Sequence, residues 1–221
     1  MTTKVINELI EYKSGVQIVI DKIAEILVNE LANQQAIAIS EGKGPDKYKG
    51  RVFTDRYEPL DQFKKNKTPL ANIFESDDST KLGSTATSGK TQDMVTVFID
   101  CYGIGSAKQT ASGHTPADLD ATNSCRNFSD LVRRILSADI NENLQLDRKV
   151  VNSVIITSGQ LFIPDFNARQ LEPVMAKRLT LQCNVIDQPM VNNGVPLESV
   201  IIDIEKSDSG EVYATAEYDY T

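Results

Sequence analysis

MVTVFIDCYG, Met94 to Gly103, sets Val95, Val97, Ile99 and Cys101 alternately with Met94, Thr96, Phe98 and Asp100. Apolar residues at period two, several of them β-branched, predict a half-buried strand rather than a helix. That reading decides the fold because of what stands before it. Ser88-Gly89-Lys90-Thr91 is the tail of a phosphate-binding loop, G-x-x-x-x-G-K-[ST]. Such a loop works by opening a helix whose first amides and dipole converge on phosphate. A strand sends successive amides to opposite sides, so a strand after Lys90 excludes the convergence. The first glycine is also misplaced: position 84 is Ser84, and the nearest glycine is Gly83.

Gly103-Ile104-Gly105-Ser106-Ala107-Lys108 follows the strand as a dinucleotide fingerprint would, but Lys108 stands where the third glycine belongs. QTASGHTPADLD then reads as loop before a helix at about Pro116, so no helix N-terminus receives a pyrophosphate. A glycine-rich strand exit is the favoured reading.

A chain of 221 residues with 40% hydrophobic content predicts a single globular domain, 1–221. It buries about 70–75% of its unfolded surface. No apolar run reaches the ~20 residues that span a bilayer. MTTKVINELIEYK is interrupted by charge, unlike a secretion signal, which leads us to expect a soluble protein made in the cytosol. With 31 acidic and 23 basic residues, the net charge is −8. Tight duplex binding draws on dense Lys and Arg, which this chain lacks, and Lys64-Lys65-Asn66-Lys67 reads as a solvated loop.

Cys101, Cys125 and Cys183 show no paired metal spacing, and the last shares an alternating face with Leu179, Leu181 and Val185. Cys101 and Cys183 read as small buried hydrophobes, with cross-links between subunits left open for any cysteine that proves exposed. His114, the single histidine, falls in a loop, with no nucleophile marked nearby. The sequence therefore nominates no catalytic, cofactor-binding or metal residue.

Around these signals the fold reads α+β, a mainly antiparallel sheet flanked by two main helices, about 14–35 and 116–137. The first carries an apolar stripe at 16, 19, 20, 23, 26, 27 and 31 behind a Ser14 cap. Val5, Ile6, Leu9 and Ile10 suggest a shorter helix before it. Thr115-Pro116 reads as a cap with proline at the first helical position, ahead of Leu119, Thr122, Cys125, Phe128, Val132, Ile135 and Leu136. Extended pieces are predicted at 51–57, 69–76, 94–102, 150–157, 160–166 and 177–187, with a C-terminal β-hairpin at 200–206 and 211–220. Asp203, Glu205, Glu211, Glu217 and Asp219 give that hairpin much of the negative charge. Residues 77–93 form a loop or arm longer than the usual connection.

MVTVFIDCYGIGSA, then HTPADLDATNSCRNFSDLVRRILSA, then AKRLTLQCNVID resembles the tail terminator proteins of long-tailed bacteriophages and related prophage tail proteins. The matching features are Tyr102-Gly103 closing a strand, Leu131 to Leu136 on a helix, and Arg178-Leu179 opening a later strand. The resemblance spans about residues 90 to 190. It implies a virion structural protein, not an enzyme and without cofactors, forming a homohexameric ring that caps the tail tube at its head-proximal end. Implied partners are further copies of itself, the tail tube protein, head-tail connector or neck proteins, and sheath. Phage DNA would pass an acidic lumen without specific binding, no membrane is involved, and assembly takes place in the host cytoplasm. The 40–93 region and the added C-terminal hairpin depart from the compact members, so another neck or head-tail joining role is the alternative. From a different class, the alternative is a nucleotide-binding enzyme using a degenerate loop at 83–91. An adaptor outside any phage is a third reading.

Overall fold

A computed structural model describes residues 4–5, 14–64, 66–76, 91–110, 113–148, 151–164, 172–187, 195–196, 199–205 and 212–219. In chain order the elements are β1 (Lys4–Val5), α1 (Gly15–Ser40), β2 (Arg51–Thr54), β3 (Leu70–Glu75), β4 (Thr91–Ile104), β5 (Lys108–Thr110) and β6 (Gly113–Thr115). They continue with α2 (Ala117–Leu136), β7 (Val151–Phe162), β8 (Val174–Asp187), β9 (Val195–Pro196), β10 (Ser199–Glu205) and β11 (Val212–Asp219). Two compact units result: Lys13–Gln188, and the terminal segments Met1–Tyr12 with Pro189–Thr221.

The larger unit is α+β, with a five-stranded sheet in the order β2-β3-β4-β8-β7. It is antiparallel except for the parallel β2–β3 pair. The β4 alternation resolves the two faces of that sheet. Val95, Val97, Ile99 and Cys101 are buried with Ala71, Ile73, Leu179, Leu181, Cys183 and Val185, and both helices cover this face. From α1 come Val19, Ile20, Ile23, Leu27 and Leu31; from α2 come Phe128, Val132, Ile135 and Leu136. Each such side chain contributes about 1.5–3 kcal/mol on burial, so the helices and this face stabilise one another.

The helix ends follow local chemistry. Ser14 Oγ accepts the Gln17 amide at 3.1 Å, capping α1 as expected. The helix runs to Ser40 rather than 35, because Ala32-Asn33-Gln34-Gln35 contains no breaker. Gly42 is the stop. At φ +67° it lets its own amide reach Ile39 O (3.1 Å) and the Lys43 amide reach Ala38 O (2.8 Å), the paired bonds of a Schellman ending. Helix α2 falls within one residue of its predicted ends, but Pro116 occupies the cap position and no side chain caps it. Asp118 and Asp120 in its first turn and Arg133 and Arg134 in its last complement the helix dipole.

Several expectations are corrected. Lys4–Val5 is not helical but a strand pairing antiparallel with Val195–Pro196; Ile6, Leu9 and Ile10 lie outside the described residues. The pieces at 150–157 and 160–166 are one strand, β7, whose register shifts between Ser158 and Leu161 absorb the polar break. His114 sits not in a loop but in β6, which pairs with β5. The arm at 77–93 ends earlier than read: Thr91, Gln92 and Asp93 already pair with Asp187, Ile186 and Val185. Residues 77–90 lie outside the described residues. In the terminal unit the C-terminal hairpin is present, β10 pairing antiparallel with β11 from Ser199↔Asp219 to Glu205↔Val212.

Candidate interaction surface

On the second face of the five-stranded sheet the 3-10 turn Pro59–Lys64 packs Leu60 and Phe63 against Leu70, Tyr102 and Ala176, and strand register lays the side chains of this face out in rows. One row runs Asn72, Asp100, Arg178; another runs Leu70, Tyr102, Ala176, Phe162; a third runs Phe74, Phe98, Thr180, Thr157. At the centre Arg178 grips Asp100 with two bonds, Nε to Oδ1 at 2.7 Å and an Nη2 bond to Oδ2 at 2.8 Å. Asp100 is 4% exposed at its side chain and Arg178 39%, so the carboxylate is sealed and the cation reaches solvent.

Aromatic rings frame the cation. The guanidinium carbon lies 4.4 Å from the Phe98 centroid, 5.4 Å from Phe74 and 6.0 Å from Phe162. Phe74 and Phe98 meet edge to face at 5.8 Å. Tyr102 donates its hydroxyl to Asp100 Oδ2 at 3.3 Å. Burial, with the Asp100 charge, pushes that phenol well above its ordinary value, so it remains a donor. The hydrogen bonds to Asp100 raise Arg178 further, and the cation persists at every accessible pH.

Beside this pair, Asn72 exchanges two bonds with Arg56, accepting its amide at 3.1 Å and donating to its carbonyl at 3.0 Å. That pins the chain after β2 over an open cavity of about 400 Å³ lined by Asp55, Arg56, Tyr57, Asn72, Phe74 and Asp100. A second groove, about 490 Å³, runs beside α1 and α2, with Glu25, Glu30, Arg134, Ile26, Ile135 and Ile140 among its lining. In the first cavity Asp100 is committed to Arg178.

Thr91 is the first residue of β4, so the chain after Lys90 enters a strand; Ser88 to Lys90 lie outside the described residues. Gly103 and Gly105 bring α2 onto the end of β4. A Cβ on Gly103 would stand 2.3 Å from Cys125 N, and one on Gly105 1.9 Å from Ala117 O. The fingerprint-like glycines therefore serve helix–strand contact. Cys101, Cys125 and Cys183 are free and buried. Burial raises all three thiols, Cys125 and Cys183 to about 12, which keeps them protonated and unreactive. Among the described residues no His/Cys/Asp/Glu group could hold a metal ion. No described helix is long and apolar enough to cross a membrane. Lys67, from the basic patch, pairs with Glu172 and donates to Ser106 Oγ at 3.1 Å.

Asp120 ties the glycine-bearing exit to α2. Burial alone would raise its carboxyl, but bonds from Lys108 Nζ (2.8 Å) and the Ser106 amide (3.0 Å) win and hold it below its ordinary 3.8. A depressed carboxylate stabilises the fold above its unfolded value and loses that contribution as pH falls through the folded one. Asp120→Ala is therefore expected to be less stable than the parent at pH 7, with the gap closing as pH drops below 3.8. Urea unfolding at a series of pH values measures it.

Tyr102-Gly103, the α2 stretch Leu131 to Leu136 and Arg178-Leu179 all lie in this unit. Tyr102 donates to the carboxylate that Arg178 grips, Gly103 seats α2, and Val132, Ile135, Leu136 and Leu179 are core. Nothing local in the sequence marks the Asp100–Arg178 pair. The available signal was a carboxylate between Phe98 and Tyr102 on one strand face, but its partner could be chosen only once register was known. No protein-family model matches the chain, and no curated protein matches it.

Proposed function

We propose that this chain is a non-enzymatic structural protein of a phage virion, a tail terminator that assembles as a ring on the head-proximal end of the tail tube. One observation carries the self-assembly part: β7 ends the sheet as a twelve-residue strand, unpaired on its outer side among the described residues. Such an edge invites strand addition, and a closed ring satisfies edges that an open contact would extend into a filament. The tail assignment rests on the resemblance of residues 90–190. Net charge −8 suits a lumen that lets DNA pass without sticking. The partners that follow are the tail tube protein and a neck or connector protein, and the location is the virion.

Adding the purified protein to polymerising tail tube protein tests this reading by electron microscopy. Tubes are expected to stop growing and to carry a disc at one end. Unaltered tube lengths with bare ends would overturn the assignment.

A further inference from the structure

We propose that the outer edge of β7 receives the β10–β11 hairpin of a second copy, joining neighbours through main-chain hydrogen bonds. This rests on the self-assembly reading and names its contact. The two edge strands of the five-stranded sheet, β2 and β7, are unlike. Strand β2 has four residues, Arg51–Thr54, and lies among charges at Lys49, Arg51, Asp55 and Arg56, between 3-10 turns at Pro45–Tyr48 and Pro59–Lys64. Short length and flanking charge are the devices that keep an edge from pairing.

Strand β7 is twelve residues long; Arg148 and Lys149 stand just before it, and its pairing with β8 shifts register at two places. From Val151 to Pro164 there is no Asp, Glu, Lys or Arg, in a chain that is 24% charged. Thr157, Ser158, Gly159 and Gln160 are exposed, Ile155 is 59% exposed, and Ile163 just beyond the strand is 75% exposed. The interior strands β4 and β8, by contrast, contain charges at Asp93, Asp100, Lys177, Arg178 and Asp187. An uncharged edge longer than its guarded counterpart is suited to receive a strand.

The chain also holds a segment suited to supply one. Strands β10 and β11 form a two-stranded ribbon with no third strand among the described residues. Two strands alone are marginal in water, and a third stabilises them. Ser199–Asp219 includes Asp203, Glu205, Glu211, Glu217 and Asp219. Two such acidic hairpins repel one another by charge, whereas the β7 segment brings no charge to them. The joined surfaces differ, β7 on one copy and a hairpin on the next, so the contact is heterologous and can close into a ring.

A photo-reactive residue in place of Thr157 tests the contact in the full-length protein. Nitrogen-15-labelled and unlabelled copies are mixed, irradiated and digested, and the cross-linked peptides are assigned by mass. Cross-links joining β7 of one isotope to Ser199–Asp219 of the other are expected. In parallel, Ile155→Lys with Thr157→Lys should retain the parent circular dichroism while the oligomer is lost. An oligomer whose cross-links reach any other segment, or reach the hairpin only within one copy, overturns this contact and leaves the ring reading standing. A particle with the mass of one chain and no cross-links between copies overturns both.

Discussion

Arg178→Leu is expected to lower the unfolding free energy by about 3 kcal/mol, the low end of the range for a broken buried pair. The reason is what the substitution leaves behind. Asp100 is 4% exposed and receives two of its hydrogen bonds from Arg178. Without them its carboxylate keeps only the 3.3 Å bond from Tyr102 among those described and cannot reach water to replace the others. The low end applies because Arg178 is itself 39% exposed, and solvent already screens part of the attraction. The same asymmetry makes Asp100→Asn the milder change, since a released guanidinium can turn outward over the Phe rings. Arg178→Leu combined with Asp100→Asn should be more stable than Arg178→Leu alone, because no buried charge remains. Urea unfolding at one fixed protein concentration measures all three. An Arg178→Leu variant within about 0.5 kcal/mol of the parent, the range of ordinary surface changes, would refute the account of this face.

Gly105→Val should cost about 3 kcal/mol, the upper part of the range for overpacking a filled site. A Cβ there would lie 1.9 Å from Ala117 O and 2.3 Å from Ala121 N. Both are backbone atoms of the first turns of α2, so a rotamer change cannot relieve the clash and the helix must move off β4. Gly103 makes the same demand one turn further on, 2.3 Å from Cys125 N. Displacing the helix also disturbs the Asp120 bonds to Ser106 and Lys108. Gly44→Ala is the control: nothing lies within 4 Å of its Cβ position, and its stability should stay within about 0.5 kcal/mol of the parent. Equal effects at the two glycines would contradict the close helix–strand approach.

Period-two alternation made β4 and β8 legible because their faces differ so sharply. Val95 through Cys101 and Leu179 through Val185 are buried under helices, while Phe98 and Thr180 stand on the second face. The stripes on α1 and α2 were legible for the same reason. Boundaries set by long-range pairing were not. Val5 is a strand residue because Val195 lies opposite, and the short apolar stretch around it fits a helix equally well. Ser158-Gly159 reads locally as a break, yet β8 holds the chain extended across it by shifting register. The ion pair on the second face was hidden for the same physical reason. Asp100 and Arg178 are 78 positions apart, and only the pairing of β4 with β8 sets them opposite each other.

Self-association into a ring is the proposed role of this chain. Sedimentation equilibrium of the full-length protein at micromolar concentration tests it most directly. A closed ring predicts one species at about six times the 24.4 kDa chain mass, unchanged over a tenfold dilution. A particle of 24.4 kDa throughout that range would contradict it.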